Sequence, residues 1–288
     1  MKVRETIKSV VQWSLIILGV IVLAVCSRIF IFATYTIPTP SMEPAIMSGD
    51  HVIVTKLVPG PRVIKNFFSL GKGEKPVFRR LGGREVKRND ILVFNFPYPK
   101  STRIDMDLGL FYAKRCVAIP GDTFYIENGF YKVKGISDTL GYYDNQRVLS
   151  ERPNHEFAPA IFHCFPYDSR YNWNIKNFGP VYIPERGASV AIDSLNMLIY
   201  RNLIAYETGK TVSVKNGRVA LGDSSIHEYT FNRNYYFMAG DLVFDSRDSR
   251  YWGLLPEDHI TGKVSFVWNT KDVHSGKTRW DRFLKKIK

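Results

Sequence analysis

Residues 111–119 read Phe-Tyr-Ala-Lys-Arg-Cys-Val-Ala-Ile, an apolar and aromatic run interrupted by two adjacent cations. This composition predicts a β-strand. Successive side chains of a strand point to opposite faces, so either Lys114 or Arg115 must face the apolar side, and Cys116 and Ala118 share the parity of Lys114. A buried lysine can lose several pKa units and become a base near neutral pH. The alternative is an edge-strand lysine that limits aggregation.

The rest of the chain also predicts a mainly β protein. Short runs rich in Val, Ile, Phe and Tyr follow Gly-Asp or Asn-Asp pairs, which favour turns. Asn-Gly pairs at 128–129 and 216–217 predict hairpins, and a late strand is expected through Val264–Trp268. We expect no long amphipathic helix after the N-terminal segment.

The N-terminus carries the only strongly apolar segment of the sequence. Residues 10–33 are mainly apolar and long enough to cross a bilayer, with Arg28 able to extend its charge to the surface. Lys2, Arg4 and Lys8 precede this segment, whereas Arg28 alone follows its most apolar part closely. The positive-inside rule therefore predicts a cytoplasmic N-terminus and places the remainder of the chain outside.

A cleaved signal peptide is the competing interpretation of this segment. Its apolar region would be long, and no clean small-x-small site follows it. Leu23-Ala24-Val25-Cys26 is similar to a lipoprotein cleavage box, but a small residue is required where Val25 stands. We therefore expect an uncleaved, single-pass anchor.

Composition limits the classes of partner and cofactor. The 288 residues carry a net charge of +13, with 23% charged and 45% hydrophobic residues, which argues against wholesale disorder. The sequence has no zinc-finger spacing, basic heptad helix or RNA-recognition signature, so an anionic membrane surface is expected as partner and nucleic acid is not. The six histidines show no ligand spacing, so neither a metal nor another cofactor is expected. Cys116 and Cys164 could form one disulfide, but a disulfide scaffold is excluded.

Just past the apolar segment, residues 36–44 read Thr-Ile-Pro-Thr-Pro-Ser-Met-Glu-Pro. Two prolines before Ser41 stiffen an extended approach and hold the serine in a non-helical loop. The hydroxyl needs a base to lose its proton, and Lys114 is the candidate. Thr39 could direct its hydroxyl to the same place as the Ser41 amide and form an oxyanion hole. The alternative is a Pro-rich linker that leaves a membrane.

Two further segments complete the pattern. Ala239–Gly253 mixes Asp, Ser and Arg after a predicted strand. It could support the Lys114 amine, with Ser246 or Ser249 as the hydroxyl partner. The alternative is a surface loop with ordinary ion pairs, which contribute little. Lys87–Phe94 predicts a turn and a strand that could form one wall of a substrate groove.

Taken in this order, the segments resemble the type I signal peptidase (leader peptidase) family. That family shows Ser-Met near an anchor, a basic-Gly-Asp turn with an apolar strand, Lys-Arg followed by Pro-Gly-Asp, and a late Gly-Asp box ending in Ser-x-Asp-Ser-Arg-x-x-Gly. The corresponding residues here are Ser41-Met42, Arg88-Asn89-Asp90, Lys114-Arg115 with Pro120-Gly121-Asp122, and Gly240-Asp241 through Ser246, Asp248, Ser249, Arg250 and Gly253.

The resemblance implies a serine endopeptidase that is mainly β, with one transmembrane helix, an antiparallel sheet core and an inserted variable subdomain. Ser41 would be the nucleophile and Lys114 the general base. Thr39 would assist the Ser41 amide at the oxyanion, and Ser246 would orient the lysine amine. The residues that would support them through ion pairs and hydrogen bonds are Asp241, Asp248 and Arg250.

The same resemblance implies two small pockets for the substrate. The residues that would line the pocket for the small residue before the cut are Ile37, Met42, Ile46 and Tyr112. Those that would line the second small pocket are Val52, Val93 and Ala113.

The late box departs from the family pattern. Leu242 stands in place of the family Asn, and Val243 and Phe244 replace a polar pair. Asp245 replaces a frequent Asn, and Asn89 replaces a Gly. These differences concern the late loop and one turn, and they leave the serine and the lysine unchanged.

The implied activity is removal of signal peptides from exported preproteins by cutting after small-x-small residues at the outer face of the bacterial cytoplasmic membrane. Implied partners are signal peptides of secreted preproteins, the lipid bilayer and, transiently, the export machinery. Phe67-Phe68 and Trp280–Lys286 could also contact lipid. The competing hypothesis is a membrane-anchored β scaffold that binds exported partners and cleaves nothing.

Two stretches interrupt the β pattern and define the expected domain organisation. Residues 58–85 contain several Gly and Pro residues, and residues 133–210 are polar and rich in Tyr, Asn and Pro. The expected segments are a cytoplasmic N-terminus (1–9), an anchor (10–33), a first part of the catalytic core (34–132, with an insertion at about 58–85), an inserted subdomain (133–210) and a second part of the core with a basic tail (211–288).

Overall fold

The structure is a computed structural model that describes residues 2–66, 78–99, 102–215, 217–273 and 275–287. Its first element is a long helix, α1 (Lys2–Phe30). The segment Thr6–Phe30 has a mean hydropathy of 2.4 and is not buried, so it is apolar and long enough to cross a membrane. The helix stops three residues before the predicted end of the anchor, because Phe32 already belongs to the first strand.

The other helices are α2 (Tyr143–Glu151), α3 (Pro159–Phe162), α4 (Met197–Thr208) and α5 (Ser249–Trp252). The strands are β1 (Phe32–Thr36), β2 (Asp50–Thr55), β3 (Arg62–Ile64), β4 (Phe78–Arg80), β5 (Ile91–Asn95), β6 (Phe111–Ala118), β7 (Thr123–Glu127), β8 (Phe130–Val133), β9 (Phe178–Tyr182), β10 (Ser189–Ala191), β11 (Val212–Lys215), β12 (Arg218–Leu221), β13 (Ser224–Ser225), β14 (Glu228–Thr230), β15 (Tyr235–Ala239), β16 (Leu255–Pro256), β17 (Ile260–Thr270) and β18 (Lys285–Lys286).

The main sheet has the strand order β1-β2-β17-β5-β6-β15-β16, and β18 pairs with β17. Every pairing in this sheet is antiparallel. The mainly β, antiparallel core predicted from the sequence is therefore confirmed. The predicted strand at 111–119 is β6, and the late strand predicted around Val264–Trp268 lies within β17.

The two faces of the main sheet are covered by different apolar clusters, as the two-residue period of a strand requires. On one face Ile91 and Val93 of β5 pack with Ile37 and Met42 from the loop after β1. On the other face the buried residues include Leu92, Phe94, Cys116, Met238, Trp252 and Leu255. Because β5 is buried on both faces, the strand beside the Lys114 strand is closed to solvent.

A second unit is built around a separate, larger apolar cluster. It contains the three-stranded sheet β8-β7-β9, the pair β10–β14 and the sheet β11-β12-β13, together with helices α2, α3 and α4. Strand pairing crosses both of the boundaries expected for an inserted subdomain at 133–210, since β9 pairs with β7 and β10 pairs with β14.

Local turn chemistry was a good guide to the hairpins. Asn128 and Gly129 join β7 to β8 and both have positive φ (51° and 88°), as a tight hairpin turn requires. The second Asn-Gly pair connects the paired strands β11 and β12, although Asn216 lies outside the described residues.

Among the described residues, no long amphipathic helix follows the anchor, as expected, and the longest later helix is α4. Helix α4 has twelve residues and ends at Gly209, which takes the left-handed conformation (φ 72°) that glycine allows. Its buried residues are Met197, Ile199, Tyr200, Leu203 and Ile204, which lie on one face. The apolar Leu198 and Ala205 lie outside this face, so the amphipathic period is weak.

The first predicted insertion and the predicted lipid contacts are only partly described. Strands β3 and β4 pair within 58–85, whereas Phe67-Phe68 lies outside the described residues. In the C-terminal stretch, Trp280 and Phe283 are exposed, but Arg282 is 4% exposed and pairs with Asp50.

Candidate active site

A groove of about 450 Å³ lies between the edge strand β1 and the first half of β6. β15 pairs with β6 only at Arg115, Cys116 and Ala118, so residues 111–114 have β5 on one side and no described strand on the other. The rings of Tyr35 and Phe111 lie 4.9 Å apart across the groove. The lining residues are Tyr35, Thr36, Ile37, Pro38, Thr39, Pro40, Ser41, Met42, Val93, Leu110, Phe111, Tyr112, Ala113, Lys114, Asp245 and Arg247.

Ser41 lies at the floor of the groove in a single 3-10 turn, Pro40–Met42. Pro40 suits the start of this turn because its φ is already fixed at a helical value, and Met42 is buried below the turn. The backbone around Ser41 is therefore rigid. Leu242 N donates a hydrogen bond to Ser41 O (3.1 Å), which ties the turn to the late Gly-Asp box. Only 9% of Ser41 is exposed.

Lys114 reaches Ser41 from the middle of β6. Its Nζ donates a hydrogen bond to Ser41 Oγ, and 4% of the residue is exposed. Burial is the main cause that lowers the pKa of Lys114 from 10.5 to about 8; Arg250 lowers the pKa further, and Asp248, Asp241 and Asp245 oppose the shift. At pH 7 roughly a tenth of the amine is therefore neutral and can accept a proton.

Thr39 is the third polar side chain at this point. Its Oγ1 lies 3.4 Å from Ser41 Oγ, at the limit of a hydrogen bond. Thr39 precedes the 3-10 turn in extended backbone (φ −120°, ψ 152°), which directs its side chain into the groove that it lines.

Ser246 is close to the nucleophile loop but does not bind the lysine amine. Its Oγ is buried and has no hydrogen-bond partner among the described residues. A Cβ at Gly240 would lie 2.1 Å from Ser246 Oγ and 2.7 Å from Ser41 O, so Ser246 packs against the bare backbone of this glycine. The expected Ser246–Lys114 hydrogen bond is thus absent, because the amine is directed to Ser41. Ser249 Oγ accepts from Met238 N (2.9 Å) instead.

One buried ion pair joins the late box to the lysine strand, and a second holds the late box itself together. Asp241 accepts two hydrogen bonds from the adjacent Arg115 of β6 (2.7 and 2.6 Å). Asp248 accepts two from Arg250 (both 2.8 Å) and one from Gly240 N (2.9 Å). Lys114 and Arg115 are therefore both buried, because Arg115 has a carboxylate partner on its own face.

Asn145 of helix α2 connects the second unit to both loops of the site. Its Nδ2 donates to Asp241 O (2.8 Å) and to Glu43 O (3.3 Å). Asp241 O belongs to the late box and Glu43 O follows the serine turn. Sequence analysis did not identify Asn145, since nothing in its local sequence distinguishes it from a surface helix residue.

Five of the seven predicted pocket residues line the groove: Ile37, Met42, Val93, Tyr112 and Ala113. Ile46 and Val52 do not line it. Both are fully buried in the apolar cluster that packs behind Ile37 and Met42. Their assignment to the pocket surface was therefore wrong, and they act as support for its wall.

Several lining residues were not predicted. Leu110 and Phe111 begin the open stretch of β6, and Tyr35 comes from the edge strand β1. Asp245 and Arg247 are exposed at the mouth of the groove on either side of Ser246. The signal that could have identified this last pair was their position beside a predicted site residue.

None of the histidines that the structure describes lines the groove. Within the described ranges, no three His, Cys, Asp or Glu side chains are grouped as metal ligands would be. Cys116 and Cys164 are buried free thiols, so the disulfide left open by the sequence is not formed.

Comparison with known proteins identifies the family of this chain. Residues 10–269 match the family model described as signal peptidase, peptidase S26. The chain belongs to the signal peptidase family. The peptidase is 26% identical over 274 residues to signal peptidase I of Aquifex aeolicus, a match that covers 93% of this chain and 86% of the relative. It is 23% identical over 269 residues to signal peptidase I of Haemophilus influenzae, covering 91% and 71%.

Among solved structures, the peptidase matches the crystal structure of a signal peptidase I from Enterococcus faecalis. The TM-score is 0.30 with 17% sequence identity, and the match covers 62% of this chain and 97% of that chain. Membership of the family makes the protein a serine endopeptidase and a peptidase for signal peptides. This excludes the non-catalytic scaffold considered from the sequence.

Proposed function

We propose that the peptidase cleaves signal peptides with a Ser41–Lys114 dyad. The observation that carries the proposal is the contact between a buried amine of lowered pKa and the hydroxyl of a serine on the floor of the groove. A serine hydroxyl is a weak nucleophile until a neighbouring base removes its proton. Lys114 binds that hydroxyl directly, and among the described residues no histidine lines the groove.

In the first half of the reaction, neutral Lys114 accepts the proton of Ser41 Oγ, and the alkoxide attacks the scissile carbonyl carbon. The carbonyl oxygen becomes an oxyanion, for which the Ser41 N–H and the Thr39 hydroxyl are the proposed donors. The tetrahedral intermediate collapses as the C–N bond breaks, and the Lys114 ammonium gives its proton to the leaving amine.

In the second half, a water molecule replaces the leaving amine. Lys114, neutral again, accepts a proton from this water, and the hydroxide attacks the acyl-enzyme ester. The bond to Ser41 Oγ breaks, and Lys114 returns the proton to the serine. The burial that lowers the pKa of Lys114 serves both halves, since the same amine must accept and release a proton twice.

The proposed substrate is an extended segment that pairs with the open stretch of β6 at residues 111–114. No strand of the described ranges pairs with the groove side of this stretch, and the edge strand β1 lies across the groove from it. Addition of a strand to such an edge supplies backbone hydrogen bonds, and alternate side chains then enter pockets. Ile37, Val93 and Ala113 leave little depth in these pockets, which favours small residues one and three places before the cut.

Anchoring and location are part of the proposal. Helix α1 would cross the bacterial cytoplasmic membrane once, with the N-terminus in the cytoplasm and the catalytic domain on the outer face. Ser41 follows the end of α1 by only eleven residues, so the groove would lie near the bilayer surface. Signal peptides emerging from the export machinery would then meet the groove directly.

Cleavage of a preprotein with an Ala-x-Ala site tests the dyad. The detergent-solubilised full-length protein is compared with Ser41→Ala and Lys114→Ala, and with Ser150→Ala and Lys134→Ala as matched controls outside the groove. Mature product is expected from the wild type and both controls. Cleavage at wild-type rate by either groove variant would contradict the assignment.

Specificity and topology are tested separately. Replacing the alanine before the cut by valine and then leucine should lower kcat/KM stepwise, with the cleavage position read by mass spectrometry. In inverted membrane vesicles the domain should resist added protease, and in spheroplasts it should be digested. Digestion in inverted vesicles alone would contradict the proposed orientation without affecting the dyad.

A further inference from the structure

A cationic cavity lies where α1 meets the sheet. We define it by its lining residues, Val25, Arg28, Ile29, Ala33, Lys56 and Arg62. Its volume is about 390 Å³, and it shares no lining residue with the catalytic groove. Three of the six residues are cations, none is acidic, and the other three are apolar. The cavity therefore combines a positive wall with an apolar wall at the outer end of a helix that can cross a membrane.

Neutral groups bind the Arg62 guanidinium directly, and the carboxylate of Asp258 acts on its charge without a salt bridge. Its guanidinium donates to Asn95 Oδ1 (2.9 Å), Thr261 Oγ1 (2.8 Å) and Asp258 O (2.9 Å), all of which are uncharged acceptors. The carboxylate of Asp258 pairs with Arg233 instead (2.6 Å). Arg62 is thus rigidly oriented without a salt bridge among the described residues.

Lys56 and Arg28 add charge at the same place. Lys56 Nζ donates to Arg28 O (2.8 Å) and Ile29 O (3.0 Å), which uses two of its three donors and leaves the third. The Arg28 side chain is exposed and makes no hydrogen bond to a described residue. Burial lowers the pKa of Lys56, and the positive charges of Arg62 and Arg28 lower it further, so the three cations are close enough to repel one another.

We propose that the cationic cavity binds the phosphate of an anionic phospholipid, with the acyl chains running along Val25 and Ile29 of α1. The inference rests on the membrane anchoring in the proposed function, which places this end of the helix at the level of the headgroups. A phosphate offers negative charge to all three cations and acceptors for the Arg28 guanidinium and for the remaining donor of Lys56. A free phosphate ion shares this chemistry, but it has no part that would use the apolar wall.

Native mass spectrometry of the full-length protein in detergent tests the site. The protein is mixed with phosphatidylglycerol and phosphatidylcholine, and the retained lipid is counted. We expect one phosphatidylglycerol molecule to be retained in preference to phosphatidylcholine. Removing the two flexible cations in Arg28→Gln/Lys56→Gln should weaken phosphatidylglycerol binding about 30-fold. The matched control, Lys134→Gln/Arg218→Gln, removes the same charge from exposed positions elsewhere and should bind like the wild type.

A single variant and a competition experiment keep the proposal open to contradiction. Because Lys56 also caps α1, Arg28→Gln alone is measured as a variant with no hydrogen bond to lose, and it should weaken binding several-fold. Inorganic phosphate is added as a competitor and should not displace the lipid. Equal phosphatidylglycerol retention by the double variant and the wild type would overturn the proposal. So would an equal loss in the control pair, or full displacement by inorganic phosphate.

Cleavage by the wild type in detergent without added phosphatidylglycerol is followed in parallel. Cleavage together with unselective lipid retention would sink the lipid site and leave the dyad intact. Selective retention of phosphatidylglycerol without any cleavage would contradict the dyad and leave the lipid site intact.

Discussion

Replacing Lys114 by Met should make the protein more stable and inactive. The pKa of Lys114 falls from an ordinary 10.5 to about 8 because the residue is buried. At 1.36 kcal/mol per pKa unit, the folded state loses about 3 kcal/mol at pH 7 by holding a proton on this amine. Methionine has a similar length and no charge to desolvate, so this loss disappears in the variant.

The sign of the effect sets its pH window. A lowered pKa means that the unfolded chain binds more protons between pH 8 and 10.5, so wild-type stability rises with pH across this window. The penalty is fully present below about pH 8 and absent above 10.5. The stability gain of Lys114→Met should therefore be about 3 kcal/mol at pH 7 and shrink towards zero above pH 10.5.

Thermal unfolding in detergent measures the gain. A difference of about 3 kcal/mol corresponds to a rise in Tm of roughly 6–12 °C for a domain of this size. Lys134→Met, at an exposed position, serves as control and should leave Tm unchanged. If Lys114→Met unfolds at the wild-type temperature at pH 7, or if its gain is the same at every pH, the buried amine is not under the strain that the dyad requires. The wild-type pH–rate profile should rise with a midpoint near pH 8.

Three further substitutions test the supports of the groove. Gly240→Ala would place a Cβ 2.7 Å from Ser41 O, so kcat/KM should fall about 100-fold in a cleavage assay, as displacement of a reacting group by about 1 Å does. Asn145→Leu has a similar size and adds no charge but cannot donate to Asp241 O and Glu43 O, so kcat/KM should fall about tenfold with the pH midpoint unchanged. Arg250→Met leaves Asp248 buried without its cation, so the free energy of unfolding should fall by about 3–5 kcal/mol in thermal unfolding.

Matched variants control each of these tests. Gly19→Ala has nothing within 4 Å of its new Cβ and should behave like the wild type. Asp144→Ala, on the same exposed helix as Asn145, should leave cleavage unchanged. Arg170→Met removes an exposed pair with Asp168 and should cost less than about 1 kcal/mol. An equal effect in a control and its test variant would remove the structural reason given for that substitution.

Much of the architecture was accessible from the sequence because it is encoded locally. The apolar N-terminal run, the apolar and aromatic composition of β6 and the Asn128-Gly129 turn each depend on neighbouring residues, and each predicted its element correctly. Helix α4 was missed since apolar residues outside its buried face weaken the amphipathic period on which helix prediction relies.

The site was harder to predict where the role of a residue depends on its depth below the surface or on contacts between segments that are distant in sequence. A sequence pattern does not say how far a residue lies below a surface, so Ile46 and Val52 could not be told from Ile37 and Met42. The contact of Asn145 with two loops depends on how the second unit docks, which no short motif records. The pairing of Ser41 with Lys114 was predicted through order along the chain and a family resemblance, and it stays a prediction until the dyad is tested.

Only Ile31 separates α1 from β1, and Lys56 binds the last carbonyl groups of the helix. Because this connection is so short, α1 and the main sheet must reorient together. A transmembrane helix whose apolar segment is longer than the hydrocarbon thickness of the bilayer tilts. A thinner bilayer therefore increases the tilt of such a helix. In this enzyme, a tilt of α1 would rotate the mouth of the groove through the same angle. Bilayer thickness would then change the orientation in which preproteins reach Ser41.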